Sequence, residues 1–205
     1  MDYLRTNFDS PIIIGEVQTK QFGYFTNQQY VHFDYPNFHR TKVLNELTKL
    51  AKTPFVFNYD ADVIVPVEQL KEAVRLLENG ADVVYPFDGT HACVERYDAA
   101  DFMRSLDTKD FILGDHYRNW FNPTKSVGGC VGYNVESFWS VGGENENFVS
   151  YGPEDSERYY RYQTMGLDVK RVDGPLYHIE HYKSLDSCNK HSLFQANENE
   201  WQRIK

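Results

Sequence analysis

Two hydrophobic spacings alternate along this chain: short, nearly unbroken apolar runs, and stretches in which apolar residues return every three to four positions. The clearest run, Phe55-Val56-Phe57-Asn58-Tyr59-Asp60-Ala61-Asp62-Val63-Ile64-Val65, reads as a buried strand that delivers two aspartates at its end. Pro66 to Leu77 follows with helical spacing and a proline near its start, so both aspartates are expected at a strand-to-helix crossover. Arg40 to Lys52 also reads as a helix, with Val43, Leu44, Leu47, Leu50 and Ala51 on one face. Pro11 to Val17 and Asp82 to Pro86 read as strands, and the polar, aromatic stretch between Val17 and Phe38 as loop. Strand and helix in alternation predict an α/β domain.

Further along, the pattern between His91 and Thr124 is less regular, and Ser126 to Asn134 is a glycine-rich strand or turn. Glycine there permits either a close backbone approach to a ligand or a bulge. Glu154 to Met165 predicts a helix, Val169 to Val172 and Leu176 to Ile179 short strands, and Asn189 to Lys205 a polar tail helix packed by Leu193, Phe194 and Trp201.

Length and charge narrow the classes. A chain of 205 residues is expected to form one domain, 1–205, with a C-terminal tail at 182–205. A net charge of −9 without a basic run argues against a nucleic-acid partner. No apolar run approaches the roughly 18 residues of a membrane span, and the start Met1-Asp2-Tyr3-Leu4-Arg5 has no apolar leader core. Three widely spaced cysteines, Cys93, Cys130 and Cys188, fit thiols in a reducing compartment. The expectation is a cytoplasmic protein, compatible with peripheral association at a membrane surface.

The candidate chemistry starts from Asp60 and Asp62. In open α/β sheets ligands collect outside the carboxyl ends of strands, where paired carboxylates can meet a divalent cation on a phosphate. Such pairs also cap helices and turn loops, so other signals must support them. Gly152-Pro153-Glu154-Asp155 reads as a helix start with proline at the first helical position. The helix dipole there favours carboxylates and keeps them ionised. Arg40 at the start of its helix is disfavoured by that dipole, which suggests an anion nearby. Tyr151, Trp139 and Trp120 are candidates for an aromatic acceptor platform, with buried packing as the commoner use of such residues.

Several blocks then coincide in order: Phe38-His39-Arg40-Thr41-Lys42-Val43-Leu44-Asn45, Asp60-Ala61-Asp62, Gly128-Gly129, Val141-Gly142-Gly143-Glu144 through Phe148 to Glu154-Asp155-Ser156-Glu157, and His178. From residue 36 to 181 the chain resembles the GT-A glycosyltransferases of the β-1,4-galactosyltransferase C-terminal-domain type. It is more loosely similar to bacterial chondroitin polymerase and polypeptide N-acetylgalactosaminyltransferase domains. The resemblance implies a Rossmann-like α/β/α sandwich, a UDP-sugar donor, a saccharide or glycoconjugate acceptor and a divalent cation, usually Mn2+.

Residue by residue, it implies that Asp62 and His178 ligate the metal and that Asp60 orients the donor ribose or a metal-bound water. Phe38 and Arg40 would contact the nucleotide, and Gly128 and Gly129 would line the donor sugar. Glu154 would hold the acceptor, beside Tyr151, and Asp155 would be the general base of an inverting transfer. His181 is an alternative to His178. The position of a methionine ligand in galactosyltransferases is Pro175, which has no side-chain donor. The chain also begins close to what corresponds to the second strand of these folds, so the usual first strand is expected to be missing and Pro11 to Val17 to lack a neighbour. A binding domain of the same fold without transferase activity is the alternative, and a metal-dependent phosphohydrolase ranks behind both.

Overall fold

The structure is a computed structural model that describes residues 2–18, 29–96, 98–100, 102, 126–182, 184 and 188–205. In chain order the elements are α1 (Asp2–Asn7), β1 (Ile13–Val17), β2 (Gln29–Phe33), α2 (Arg40–Lys49), β3 (Phe55–Tyr59), β4 (Val63–Ile64) and α3 (Val67–Glu78). They continue with β5 (Val83–Tyr85), β6 (His91–Val94), β7 (Cys130–Asn134), α4 (Val135–Ser140), α5 (Glu154–Thr164), β8 (Val169–Arg171), β9 (Leu176–Ile179) and α6 (Phe194–Ile204).

The main sheet has the order β3-β7-β5-β8, with β7 antiparallel to both neighbours and β5 parallel to β8. Strand periodicity turns this sheet into the middle of three layers. Val83 and Tyr85 of β5 share one cluster with Phe138 of α4 and Tyr162 of α5. Val84, between them in sequence, shares another with Ala73 and Leu77 of α3. All three β5 residues are buried, which explains why this strand reads as an unbroken apolar run rather than an alternating one. The α/β expectation is met, with helices on both faces.

Three readings of the sequence change. The run from Phe55 to Val65 is two strands in two sheets: β3 belongs to the main sheet, whereas β4 pairs with β9 in a three-stranded sheet, β4-β9-β6. Asp60-Ala61-Asp62 is the turn between them. The stretch read as loop before Phe38 contains β2, which runs parallel to β1. Its sequence, Gln29-Tyr30-Val31-His32-Phe33, carries too few aliphatic residues to show as a strand. Pro11 to Val17 therefore has one neighbour in β2, and no second among the described residues. Pro153, finally, stands at the N-cap of α5, one position earlier than expected, and Glu154 and Asp155 open the helix.

The tail helix forms as α6, starting at Phe194 rather than Asn189, and a polar residue fixes it. Asn197, buried at 2% exposure, donates to the carbonyls of Val149 and Tyr151 at 2.8 Å each and accepts from Val149 N at 3.2 Å. Phe194 stacks on Tyr151. The segment leading into α5 is thereby tied to the C-terminal helix. Among the described residues no helix is long and apolar enough to cross a membrane.

Candidate active site

Two strand pairings assemble the site. Antiparallel pairing of β3 with β7 sets Tyr59 opposite Cys130, and Asp60 N donates to Gly129 O at 2.9 Å. The β3 carboxyl end thus meets the Gly128-Gly129 entry to β7. On the other side of the turn, Val63 pairs with His178, and Ile179 N donates to Asp62 O at 2.8 Å. That register brings together Asp62 and a histidine remote in the chain.

Asp62, His178 and His181 can each point one ligand atom into a group lying within 4.8 Å of one another. His181 Nε2 is 2.8 Å and His178 Nε2 3.6 Å from Asp62 Oδ2, and all three side chains are part-exposed. The sequence offered the two histidines as alternatives; the structure brings both to Asp62. Burial acts to raise the Asp62 pKa, but the hydrogen bond and charge of His178 outweigh it and hold the carboxyl below its usual range. His178 is raised to about 9, first by its hydrogen bond with Asp62 and then by the side chain of Cys93. Cys93 is the buried strand partner of His178 in the β6–β9 pairing. One carboxylate and two imidazoles are a fitting donor set for Mn2+ or a similar borderline cation, because both oxygen and nitrogen ligands suit it.

Beside this group lies a network of charges, some part-exposed and some enclosed. Arg40 donates through Nη2 to Asp60 Oδ1 at 2.9 Å and through Nη1 to Asp155 Oδ1 at 3.0 Å, with Glu154 Oε1 at 3.9 Å. The anions that offset its place at the start of α2 are therefore the protein's own. Arg158, one turn into α5, donates to Asp155 Oδ1 at 2.7 Å and to Glu144 Oε1 at 3.0 Å. Burial pushes the Asp155 pKa up, but the two guanidiniums prevail and hold it below the usual carboxylate range. Glu154 moves the other way: burial, reinforced by the Asp155 charge, raises it far above that range, and its Oε2 has no partner among the described residues. Adjacent carboxyls with divergent proton affinities have different chemical parts to play.

Glycine is required where Asp155 crosses the β7 entry. A Cβ on Gly128 would stand 2.6 Å from Asp155 Oδ2, and Gly129 has φ +91°. Gly128 O also lies 3.3 Å from Nε2 of His91, a part-buried ring stacked on His178. Asp60, Asp155, Glu154, Arg40, Gly128, Gly129, Asp62 and His178 are thus in one connected region. Phe38 is 39% exposed, and its carbonyl accepts from Ser150 N at 2.7 Å, which puts it beside the Tyr151 segment.

Of the platform candidates, Tyr151 and Trp139 pack against different partners. Tyr151 is exposed and stacks on Phe194, whereas Trp139 packs on Phe138 and lines a cleft of about 570 Å3 with Asn45, Lys49 and Arg161. None of Asp60, Asp62, Asp155 or His178 lines that cleft. Trp120 lies outside the described residues. Sequence reasoning also missed Arg158, Glu144, His91 and Cys93. The first of these carried a usable signal, since Arg158 follows Asp155 by three positions on one helix face.

A family model described as the N-terminal domain of galactosyltransferase matches residues 112–186, a span that includes Gly128, Asp155, His178 and His181. No curated protein matches. Among solved structures, a mutant Drosophila β-1,4-galactosyltransferase 7 in complex with manganese, UDP-Gal and xylobiose is 16% identical, with a TM-score of 0.46. The catalytic domain of the same Drosophila enzyme with xylobiose is 18% identical, with a TM-score of 0.40. Each alignment covers 69% of this chain and 49% of that one, so the chain spans about half the length of either. A CMP:2-keto-3-deoxy-manno-octonic acid synthetase with CTP is 12% identical at a TM-score of 0.41, over 86% of this chain and 74% of that one. Over residues 112–186, the chain resembles the galactosyltransferase family.

Proposed function

We propose that this protein is a divalent-cation-dependent glycosyltransferase that moves a hexose or N-acetylhexosamine from a UDP-sugar to a saccharide acceptor with inversion. The observation that carries the reading is the meeting of Asp62, His178 and His181 beside the Asp155 and Glu154 tip of α5. The family match over 112–186 supports the same class. His181 offers the third ligand that Pro175 cannot supply.

Asp62, His178 and His181 would hold the cation, which when bound supplies a Lewis acid to the charge that grows on the leaving diphosphate. Asp60, tethered by Arg40, stands at the carboxyl end of β3, where it can orient the donor ribose. Phe38 is exposed at the same end for the nucleotide, and the Gly128-Gly129 backbone can approach the donor sugar. Asp155 is ionised and directs Oδ2 over Gly128. It accepts the acceptor hydroxyl proton as that oxygen bonds to the anomeric carbon and the bond from that carbon to the diphosphate oxygen breaks. The depressed pKa keeps Asp155 ionised and so able to accept a proton, at some cost in basicity, while the hydroxyl becomes more acidic as its oxygen bonds to carbon. Glu154, protonated near neutral pH, can donate a hydrogen bond to a second acceptor oxygen, with Tyr151 alongside.

Calorimetry with UDP and Mn2+, followed by transfer and donor-hydrolysis assays, tests the reading. Metal-dependent UDP binding with turnover supports it. Binding without transfer or hydrolysis would favour the non-catalytic binding domain, and phosphate release from simple esters the phosphohydrolase.

A further inference from the structure

Behind Asp155 a chain of buried polar groups runs through the core. Thr48 Oγ1 of α2 meets Tyr133 Oη of β7 at 2.9 Å, and Tyr133 donates to Asn58 Oδ1 of β3 at 2.8 Å. Asn58 Nδ2 donates to Glu144 Oε1 at 3.2 Å, the same oxygen that accepts from Arg158. Both Arg158 and Glu144 are 1% exposed in their side chains. Arg158 also donates to Val127 O at 3.2 Å, one residue before Gly128. A buried ion pair is a poor source of stability, since apolar residues of similar volume commonly serve as well. Here the pair ends on a carboxylate of the candidate site, and that is where its value lies.

Asp155 Oδ1 receives both Arg40 and Arg158, while Oδ2 accepts no hydrogen bond from the described residues and lies over the Gly128 backbone. We propose that Arg158, held from behind by Glu144, is a positioning residue that pins one oxygen of Asp155 and leaves the other as the proton-accepting atom. The inference rests on the reading of Asp155 as the base. Val127 and Asp155 hang from the same guanidinium, so the carboxylate and the glycine turn it crosses are set together. Lysine cannot reproduce this, because an ammonium lacks the planar fork that spans two carboxylates and a carbonyl.

The test is steady-state transfer with Arg158→Met and Arg158→Lys, together with thermal melting, UDP affinity and the pH profile of kcat. The charged and titratable groups that face Asp155 are Arg40 of α2, Asp60 after β3, Tyr85 of β5, His91 of β6, and Glu154 and Arg158 of α5. Only Arg158 changes in these variants. Its loss removes a positive charge that favours ionised Asp155, so the acid limb should move to higher pH. We expect kcat to fall roughly 100-fold in Arg158→Met, the scale of an ångström-level misplacement. UDP affinity and KM should change little, and Arg158→Lys should recover part of the rate.

A folded Arg158→Met with wild-type kcat and acid limb overturns the proposal, as does a loss that follows melting temperature and UDP affinity while the acid limb stays fixed. Should Arg158→Met not fold, Arg158→Lys decides by rate alone: with the charge kept and the fork lost, kcat should fall while the acid limb, melting temperature and UDP affinity stay near wild-type, and an unchanged kcat overturns the proposal. Asp155→Asn separates the two levels. If Asp155→Asn transfers normally, the base assignment itself is wrong; if it is inactive while both Arg158 variants keep rate and acid limb, only the positioning role fails.

Discussion

The Asp62 group and the α5 tip lie side by side, yet their charges are held differently. Around Asp155 every strong charge has a protein counter-charge: Arg40 answers Asp60 and Asp155, and Arg158 answers Asp155 and Glu144. Arg158 and Glu144 are enclosed, whereas Asp155 and Asp60 stay part-exposed, and the guanidinium contacts set the carboxylate geometry before any ligand arrives. At Asp62 the arrangement is looser: one carboxylate meets two imidazoles, His181 at 2.8 Å and His178 at 3.6 Å, and all three side chains are part-exposed. On the proposed mechanism, preorganisation is concentrated at the carboxylate that would accept the proton, whereas the ligand-holding side would be completed by the cation.

The contrast is broken most severely at the proton-accepting carboxylate. Asp155→Asn should lower transfer by about 10²–10⁴-fold, the range of a lost general base, while UDP and Mn2+ affinity stay near wild-type. Rate and calorimetry on the same preparation check this. Gly128→Ala comes next, because its Cβ would meet Asp155 Oδ2 at 2.6 Å. A displaced carboxylate should cost roughly 100-fold in kcat, read in the same assay with melting temperature as the control for folding.

On the cation side the effects are smaller and appear first in binding. Cys93→Ala removes the side chain set opposite His178 in the β6–β9 register, and should weaken Mn2+ about 10-fold, as loss of an outer partner of a ligating histidine does. Electron paramagnetic resonance titration of free Mn2+ reads this without any turnover. Glu154→Gln should be the mildest near neutral pH, because burial and Asp155 already keep Glu154 protonated there. As pH rises through the raised Glu154 pKa, the wild type gains a second negative charge beside Asp155 and should lose rate. The glutamine variant should lack that alkaline limb, and an unchanged limb would remove Glu154 from the account.

Much of this was legible in the sequence, and the reasons for the gaps are physical. Strong periodicity exposed α2, α3, α5 and β5, and the spacing of recognisable blocks brought out Asp60, Asp62, Glu154, Asp155 and His178. The pattern did not reveal that Phe55 to Val65 divides between two sheets, because β-branched residues continue on both sides of the aspartates. Nor did it separate His178 from His181, since only the folded chain shows that both reach Asp62, the first from β9 and the second from just beyond it. Strand β6 lay in a stretch that looked irregular, and with it went His91 and Cys93. Arg158 and Glu144 stayed hidden for a general reason: charged residues are read as surface, and only packing reveals that this pair is enclosed. Asn197 is the same case at smaller scale, a polar residue of a polar helix that anchors the segment before α5.

The most direct measurement is Mn2+ titration followed by electron paramagnetic resonance, with and without UDP, on the wild type and on Asp62→Asn, His178→Ala and His181→Ala. The account predicts one tight site per chain that UDP strengthens, abolished by Asp62→Asn and clearly weakened by each histidine change. Mn2+ and UDP binding that are indifferent to all three substitutions would contradict it.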